Sequence, residues 1–286
     1  MAADGSYRSI GGAPADPARV EAIRAEIAPA ADFAEEARKA VAACIDRISA
    51  DARSGELTEC SALIDHLKSR LDALDPKALV PRTGLAGLFD GHGKRLKSFR
   101  AAFADAGRSI TDTASELSER MAAVERRHGV LEQLIEDSRA AVEELNAHVV
   151  AAQTWLAQQP APAAPADGEV AADPHGEFRA RIDHLAATVT GAVRQLPLVR
   201  ALQNTEGRTL EQLRNAVDGL SDWRTGWISG LGLEGRRPRK IRADAVALWH
   251  EREAVAAKLK TAETDVAESR ARRSDVERRM EGVVPR

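Results

Sequence analysis

With 286 residues, 3% aromatic content and abundant Ala, Leu, Val, Glu and Arg, the chain is composed for packed helices and not for a sheet core. Its 41 basic and 44 acidic residues are interspersed and leave a net charge of −3, which excludes a global field that would recruit nucleic acid. The longest uncharged run, Ala147 to Ala166, holds His, Gln, Thr and three prolines, so it is not a membrane span.

Residues 1–15 are small and polar, lack an apolar core of the secretory type, and are expected to form a disordered tail. The segment 16–78 reads as N-terminal helices. Asp16 followed by Pro17 makes an N-cap and first-position pair, and helical character continues to about Ala50. Pro29 separates a stripe of Val20, Ile23 and Ile27 from one of Phe33, Ala37, Val41, Cys44, Ile45 and Ile48, which predicts a break. After a turn at Ser54 and Gly55, Leu57, Cys60, Ile64, Leu67, Leu71 and Leu74 alternate by three and four as far as the Asp75-Pro76 step.

Residues 79–157 read as a glycine-rich loop, with a short amphipathic turn at Leu85 to Phe89, followed by a long central helix. From Ile110 the stripe runs Ala114, Leu117, Met121, Val124, His128, Leu131, Ile135, Ser138, Val142, Leu145, Val149, Ala152 and Leu156. A spacing averaging about 3.5 residues keeps one seam against a neighbouring helix, as in a coiled coil. Leu96, Phe99 and Phe103 extend that helix back to Lys94, giving it roughly 65 residues and a length on the order of 95 Å. Residues 158–176 carry Pro160, Pro162, Pro165 and Pro174 and read as a linker. Residues 177–281 resume as C-terminal helices of the same bundle. One stripe runs from Phe178 through Val199 to Leu231, with a kink predicted at Pro197, and a second runs from Ile241 to Met280, with Ser269 and Arg273 weakening its far end. The expected fold is all-α, an elongated antiparallel helical bundle with long coiled-coil-like helices.

Chemistry-bearing motifs are sparse. Gly91 to Lys94 ends in Gly-Lys, but a phosphate loop needs glycine where Leu88 stands and Ser or Thr where Arg95 stands. Glu125 with His128 is half of the paired Glu-x-x-His set of a di-iron bundle, and Glu144 with His148 is an isolated pair. No metal, cofactor or catalytic site is expected. Cys44 and Cys60 fall on apolar helix faces and read as reduced, buried thiols.

The strongest candidate surface is a basic tip bearing tryptophan. Trp223 and Trp227 lie four apart and precede Arg236, Arg237, Arg239, Lys240 and Arg242, while Lys94, Arg95 and Lys97 open the long helix. Indoles favour the membrane interface, and each basic residue near an anionic leaflet is worth about 1 kcal/mol. A hairpin topology would bring both groups to one membrane-facing or partner-facing end. The competing reading packs both indoles between helices and leaves the arginines as a solvated loop. Nucleic acid is not an expected partner, because aromatic interleaving and a basic balance are both missing.

Two blocks of the chain carry a family resemblance. The first joins LVPRTGLAGLF from Leu79, GKRLKSFRAAF, and the long helix through SELSERMAAVERRHGVLEQL to VEELNAHVVAAQTWL. The second joins RIDHLAATVTGAV, QLPLVRALQNTEGRTLEQL with Pro197, Arg200, Gln203 and Asn204, and LSDWRTGWISGLGL. In order and spacing they resemble the bacterial toxic anion resistance family, the TelA-type proteins linked to tellurite resistance. The resemblance implies a cytoplasmic stress protein, peripheral on the inner face of the membrane in one version, and supplies no catalytic mechanism. The expectation is a non-enzymatic helical scaffold with an unidentified protein partner, open to self-association and to contact with an anionic membrane surface. The alternatives are a thiol-dependent protein that handles or sequesters an oxyanion through Cys44 or Cys60, and a plain coiled-coil tether.

Overall fold

Local chemistry starts each element. Asp16 caps the first helix by accepting the Ala18 N–H at 3.1 Å, with Pro17 at its first position, and α1 runs Pro17–Ala25. After the break around Pro29 come α2, Glu35–Ala52, and α3, Glu56–Asp72. Asp75 then accepts the Lys77 N–H at 2.9 Å and starts a single 3-10 turn, Pro76–Leu79. The long helix α4 is His92–Ala157, 66 residues without interruption, and α5, Gly176–Gly230, is continuous through Pro197, which sits on its exposed face. Asp244 accepts the N–H groups of Val246 and Ala247 at 3.0 and 3.1 Å and starts α6, Ala245–Glu281. This computed structural model describes residues 15–52, 56–80, 91–159, 173–235, 237–239 and 241–281, and among them there is no strand. The fold is all-α, built from long helices packed on one another. Among the described residues, no helix is long and apolar enough to cross a membrane. The linker positions 160–172 and the amphipathic turn Leu85 to Phe89 lie outside the described residues.

The chain forms two compact units, each assembled from separated stretches. Unit 1 takes residues 1–54, 127–202 and 274–286, so the N-terminal segment 16–78 divides between residues 54 and 55. Here α2 lies on the antiparallel pair formed by α4 and α5, with Val41 packed among Val142, Leu145, Leu185 and Val189. Ile48 meets Leu131, Leu134 and Val199, and Met280 from α6 joins them. α1 covers a second face of α4: Val20 and Ile23 sit on Ala147, Val150 and Ala151, and Arg19 holds the Glu144 carboxylate through Nε and Nη2.

The turn into α2 is fastened by charge. Arg181 of α5 donates from Nε and Nη2 to the Phe33 carbonyl at 3.2 Å and from Nη2 to Glu35 at 2.6 Å, while Arg38 donates to the same carboxylate at 2.9 and 2.6 Å. The hydrogen bond from Arg38, then that from Arg181, lowers the Glu35 pKa from 4.5 to about 2. A depressed carboxylate stabilises the fold above its unfolded pKa and loses that contribution as pH falls toward its folded one. The melting temperature of the wild type should therefore fall between pH 4.5 and pH 2 more steeply than that of Glu35→Gln, as read by circular dichroism across that range. Equal slopes would mean that Glu35 is not held this way in solution.

Unit 2 takes residues 55–126 and 203–273 and is a four-helix bundle of α3, the start of α4, the end of α5 and most of α6. Each neighbour runs antiparallel to the last, as pairs of contacts show: Glu59–Arg120 with His66–Ser109, Phe103–Trp223 with Glu125–Arg214, and Thr209–Asp265 with Gly230 beside Leu248; Lys68 with Glu263 closes the ring. The interior is a continuous cluster of Leu, Ile, Val and aromatic side chains that includes the fully buried Cys60.

Candidate functional site

The expected basic tip falls within unit 2, and its framework is the end of α5. The Gly232 N–H bonds the Ser229 carbonyl and the Leu233 N–H reaches back to Ile228, each at 2.9 Å, which closes the helix in a Schellman motif. That motif needs a left-handed residue, and Gly232 has φ of +64°. A Cβ there would meet Ile241 at 3.1 Å and Arg100 Nη2 at 3.2 Å, so glycine also allows the close approach of α4.

Arg100 of α4 makes the junction. Its Nε donates to the Leu231 carbonyl at 2.7 Å and its Nη2 to the Arg239 carbonyl at 2.8 Å, while the Arg239 N–H bonds the Gly232 carbonyl at 2.8 Å. A guanidinium presents a rigid fork of donors, so one side chain ties the loop after α5 to the first turns of α4. The two basic segments singled out by sequence are thereby brought together. Lys94 and Lys97 are exposed and Arg95 is half-buried on the α4 side, and Arg237, Arg239 and Arg242 are exposed on the loop side. Glu234 lies 3.5 Å from Arg239, and both side chains of that pair are solvated. Arg236 and Lys240 lie outside the described residues.

Of the two placements open to the tryptophans, the structure has the one packed between helices. Trp223 is 3% exposed and Trp227 0%. Spacing of four places both on the α5 face that meets α4, where Phe99 and Phe103, also four apart, run the other way. Trp227 lies 5.6 Å from each phenylalanine ring and 5.0 Å from Trp223, and Phe103 meets Trp223 edge-on at 5.6 Å. The indoles are core, and the tip keeps its charges without them. The matching phenylalanine spacing was the available sequence signal for this packing.

Other candidates are placed less suggestively. Glu144 is held by Arg19, and His148 Nδ1 lies 2.9 Å from the Glu144 carbonyl of its own helix. Among the described residues no cluster of three His, Cys, Asp or Glu is arranged to hold a metal ion. Cys60 is fully buried and Cys44 half-buried; burial pushes the Cys44 pKa up, and Asp137 adds to that. A small polar cavity of about 60 Å³ lies between α5 and α6, where the arginines Arg208 and Arg272 face the carboxylates Asp265 and Glu268, so it has no marked preference for either sign of charge. Sequence reasoning missed two charged features of unit 2: the joining role of Arg100, and the buried ion pair of Glu206, 0% exposed, with Arg273 of α6.

A family model described as toxic anion resistance protein (TelA) matches residues 20–234. The matched range begins in α1 and ends just past the Schellman turn, so it covers five of the six helices. No curated protein and no solved structure matches the chain.

Proposed function

Since this chain belongs to the toxic anion resistance protein (TelA) family, we propose that it is a non-enzymatic helical scaffold of the response to toxic anions, peripheral on the inner face of the membrane. Its working surface in this proposal is the basic end of unit 2, directed at an anionic lipid surface. The observation that carries the proposal is the Arg100 junction, which gathers Lys94, Lys97, Arg237, Arg239 and Arg242 at one end of a bundle. Each such residue near an anionic leaflet contributes about 1 kcal/mol, and the attraction falls off within a Debye length. With both indoles buried, the contact is electrostatic and not an insertion of aromatic side chains. The thiol-based alternative is disfavoured by the full burial of Cys60 and the raised pKa of Cys44, since the thiolate is the reactive form.

Co-sedimentation with vesicles tests this directly. The protein should pellet with anionic vesicles and not with neutral ones, and raising salt from about 50 to about 300 mM, which shortens the screening length roughly twofold to threefold, should release most of it. Replacing Lys97, Arg237 and Arg239 together by Glu should abolish binding and leave the circular dichroism spectrum unchanged, because all three are exposed. Binding that ignores salt, or none at low salt, would overturn the proposal.

A further inference from the structure

The polar cavity between α5 and α6 lies on the order of 30 Å along α5 from the basic tip. Arg208 and Thr209 reach it from α5, and Asp265, Glu268, Ser269 and Arg272 reach it at i, i+3, i+4 and i+7 of α6, one face of that helix. Thr209 and Ser269 form the floor, 2% and 0% exposed. Arg208, Glu268 and Arg272 stand exposed at the rim, and Asp265 is half-buried.

The two floor hydroxyls have opposite capacities left. Thr209 Oγ1 donates its proton to the Thr205 carbonyl at 3.2 Å, with the Asp265 carbonyl 3.4 Å away, so toward the cavity it can only accept. Ser269 Oγ is buried with no hydrogen-bond partner among the described residues, so its proton remains to be donated. The rim repeats this division. Arg272 holds Glu268 at 3.3 Å, whereas neither Arg208 nor the Asp265 carboxylate has an ion pair or a side-chain hydrogen bond among the described residues. One free cation with a donor complements an anionic group, and one free carboxylate with an acceptor complements a cationic one. A bare oxyanion would stand against Asp265 and Glu268, and a bare cation against Arg208 and Arg272. A ligand carrying both charges meets neither objection. The cavity volume of about 60 Å³, at roughly 10–15 Å³ for each water-sized group, admits about five heavy atoms.

We infer that this cavity binds a small α-amino-acid zwitterion, of which glycine is the size that fits. Its carboxylate lies against Arg208 and accepts from the Ser269 hydroxyl, and its ammonium lies against Asp265 and donates to Thr209 Oγ1. The site uses none of the residues of the basic tip, so it does not rest on the membrane-facing role.

The test uses the full chain and glycine, with binding followed by calorimetry up to about 50 mM ligand. Saturable binding at one glycine per chain is expected, with acetate and methylammonium, which carry one charge each, weaker by about tenfold or more. Arg208→Glu reverses the exposed cation, and Ser269→Ala removes only the floor hydroxyl; each should weaken glycine binding by about tenfold or more with the helical spectrum unchanged. Lys260→Glu, an exposed charge reversal on α6 outside the cavity, should leave the affinity as it is. Acetate or methylammonium bound as tightly as glycine would overturn the inference, as would wild-type affinity in either cavity variant or an equal loss in Lys260→Glu. Absence of saturable binding, the result if Arg208 and Asp265 close on each other in solution, would overturn it as well.

Discussion

Trp227→Ala should destabilise unit 2 by about 3–5 kcal/mol, the range for truncating a fully buried large aromatic side chain. The residue is 0% exposed and its ring is shared among Phe99, Phe103 and Trp223, so the truncation removes contacts from two helices at once. Urea denaturation followed by circular dichroism is the measurement, because the substitution also alters tryptophan fluorescence. Trp227→Phe should cost roughly half as much or less, since it keeps an aromatic ring and removes a buried Nε1–H that has no hydrogen-bond partner among the described residues. An unchanged midpoint for the alanine variant would contradict the packed position of the ring. The phenylalanine variant should also still sediment with anionic vesicles, which distinguishes a core role for this residue from a lipid-contacting one.

Breaking the ion pair of Glu206 and Arg273 is the other large effect. Both lie in the seam between α5 and α6, with Glu206 0% and Arg273 8% exposed. Glu206→Leu or Arg273→Met alone strands the remaining charge in the interior and should cost about 3–5 kcal/mol. The double substitution removes both desolvation penalties and should be neutral or stabilising by about 1–4 kcal/mol relative to wild type. Chemical denaturation of the two single variants and the double variant closes the cycle. Additive losses in the double variant would show that the two side chains act independently and are not a buried pair. If the double variant is more stable, the pair is retained for something other than stability, and fixing the register of α5 against α6 is the best attested role for such a pair in a helical seam.

The long seam of α4 was legible because a 3.5-residue spacing leaves little choice of face: Ile110, Leu117, Met121, Val124, Leu131, Ile135, Val142, Leu145, Val149 and Ala152 are all buried as that spacing requires. Even Ser138 is buried in it, at 1%, while His128 is half-buried. The second buried face, Ala147, Val150 and Ala151 under α1, was harder to read. Alanine is as ordinary on a solvated helix face as in a core, and only the adjacent pairs Val149-Val150 and Ala151-Ala152 hinted at burial on two sides. Ser269 and Arg273 looked like a weakening of the last stripe, yet both are buried. Their positions keep the helical period although their chemistry interrupts the apolar pattern, and only the partner on α5 makes sense of Arg273. At the candidate site, the exposed lysines and arginines were legible as a charge cluster. The burial of the indoles was not, because a tryptophan pair at spacing four suits an interface and a core equally until the facing helix is known.

The position of Arg273 also bears on where this protein can be cut. Residues 20–234, the stretch that carries family membership, include Glu206 but stop short of α6. A fragment trimmed to those limits would keep the buried carboxylate and discard its counter-ion, together with Leu248, Val255, Leu259, Ala262 and Val266 from the same interior. It would present to water a groove of leucine and valine with an unbalanced negative charge at one end, a surface suited to aggregation and not to assay. For this chain the smallest autonomous folding piece is therefore longer than its family signature, and α6 belongs to it as an integral wall and not as an appendage.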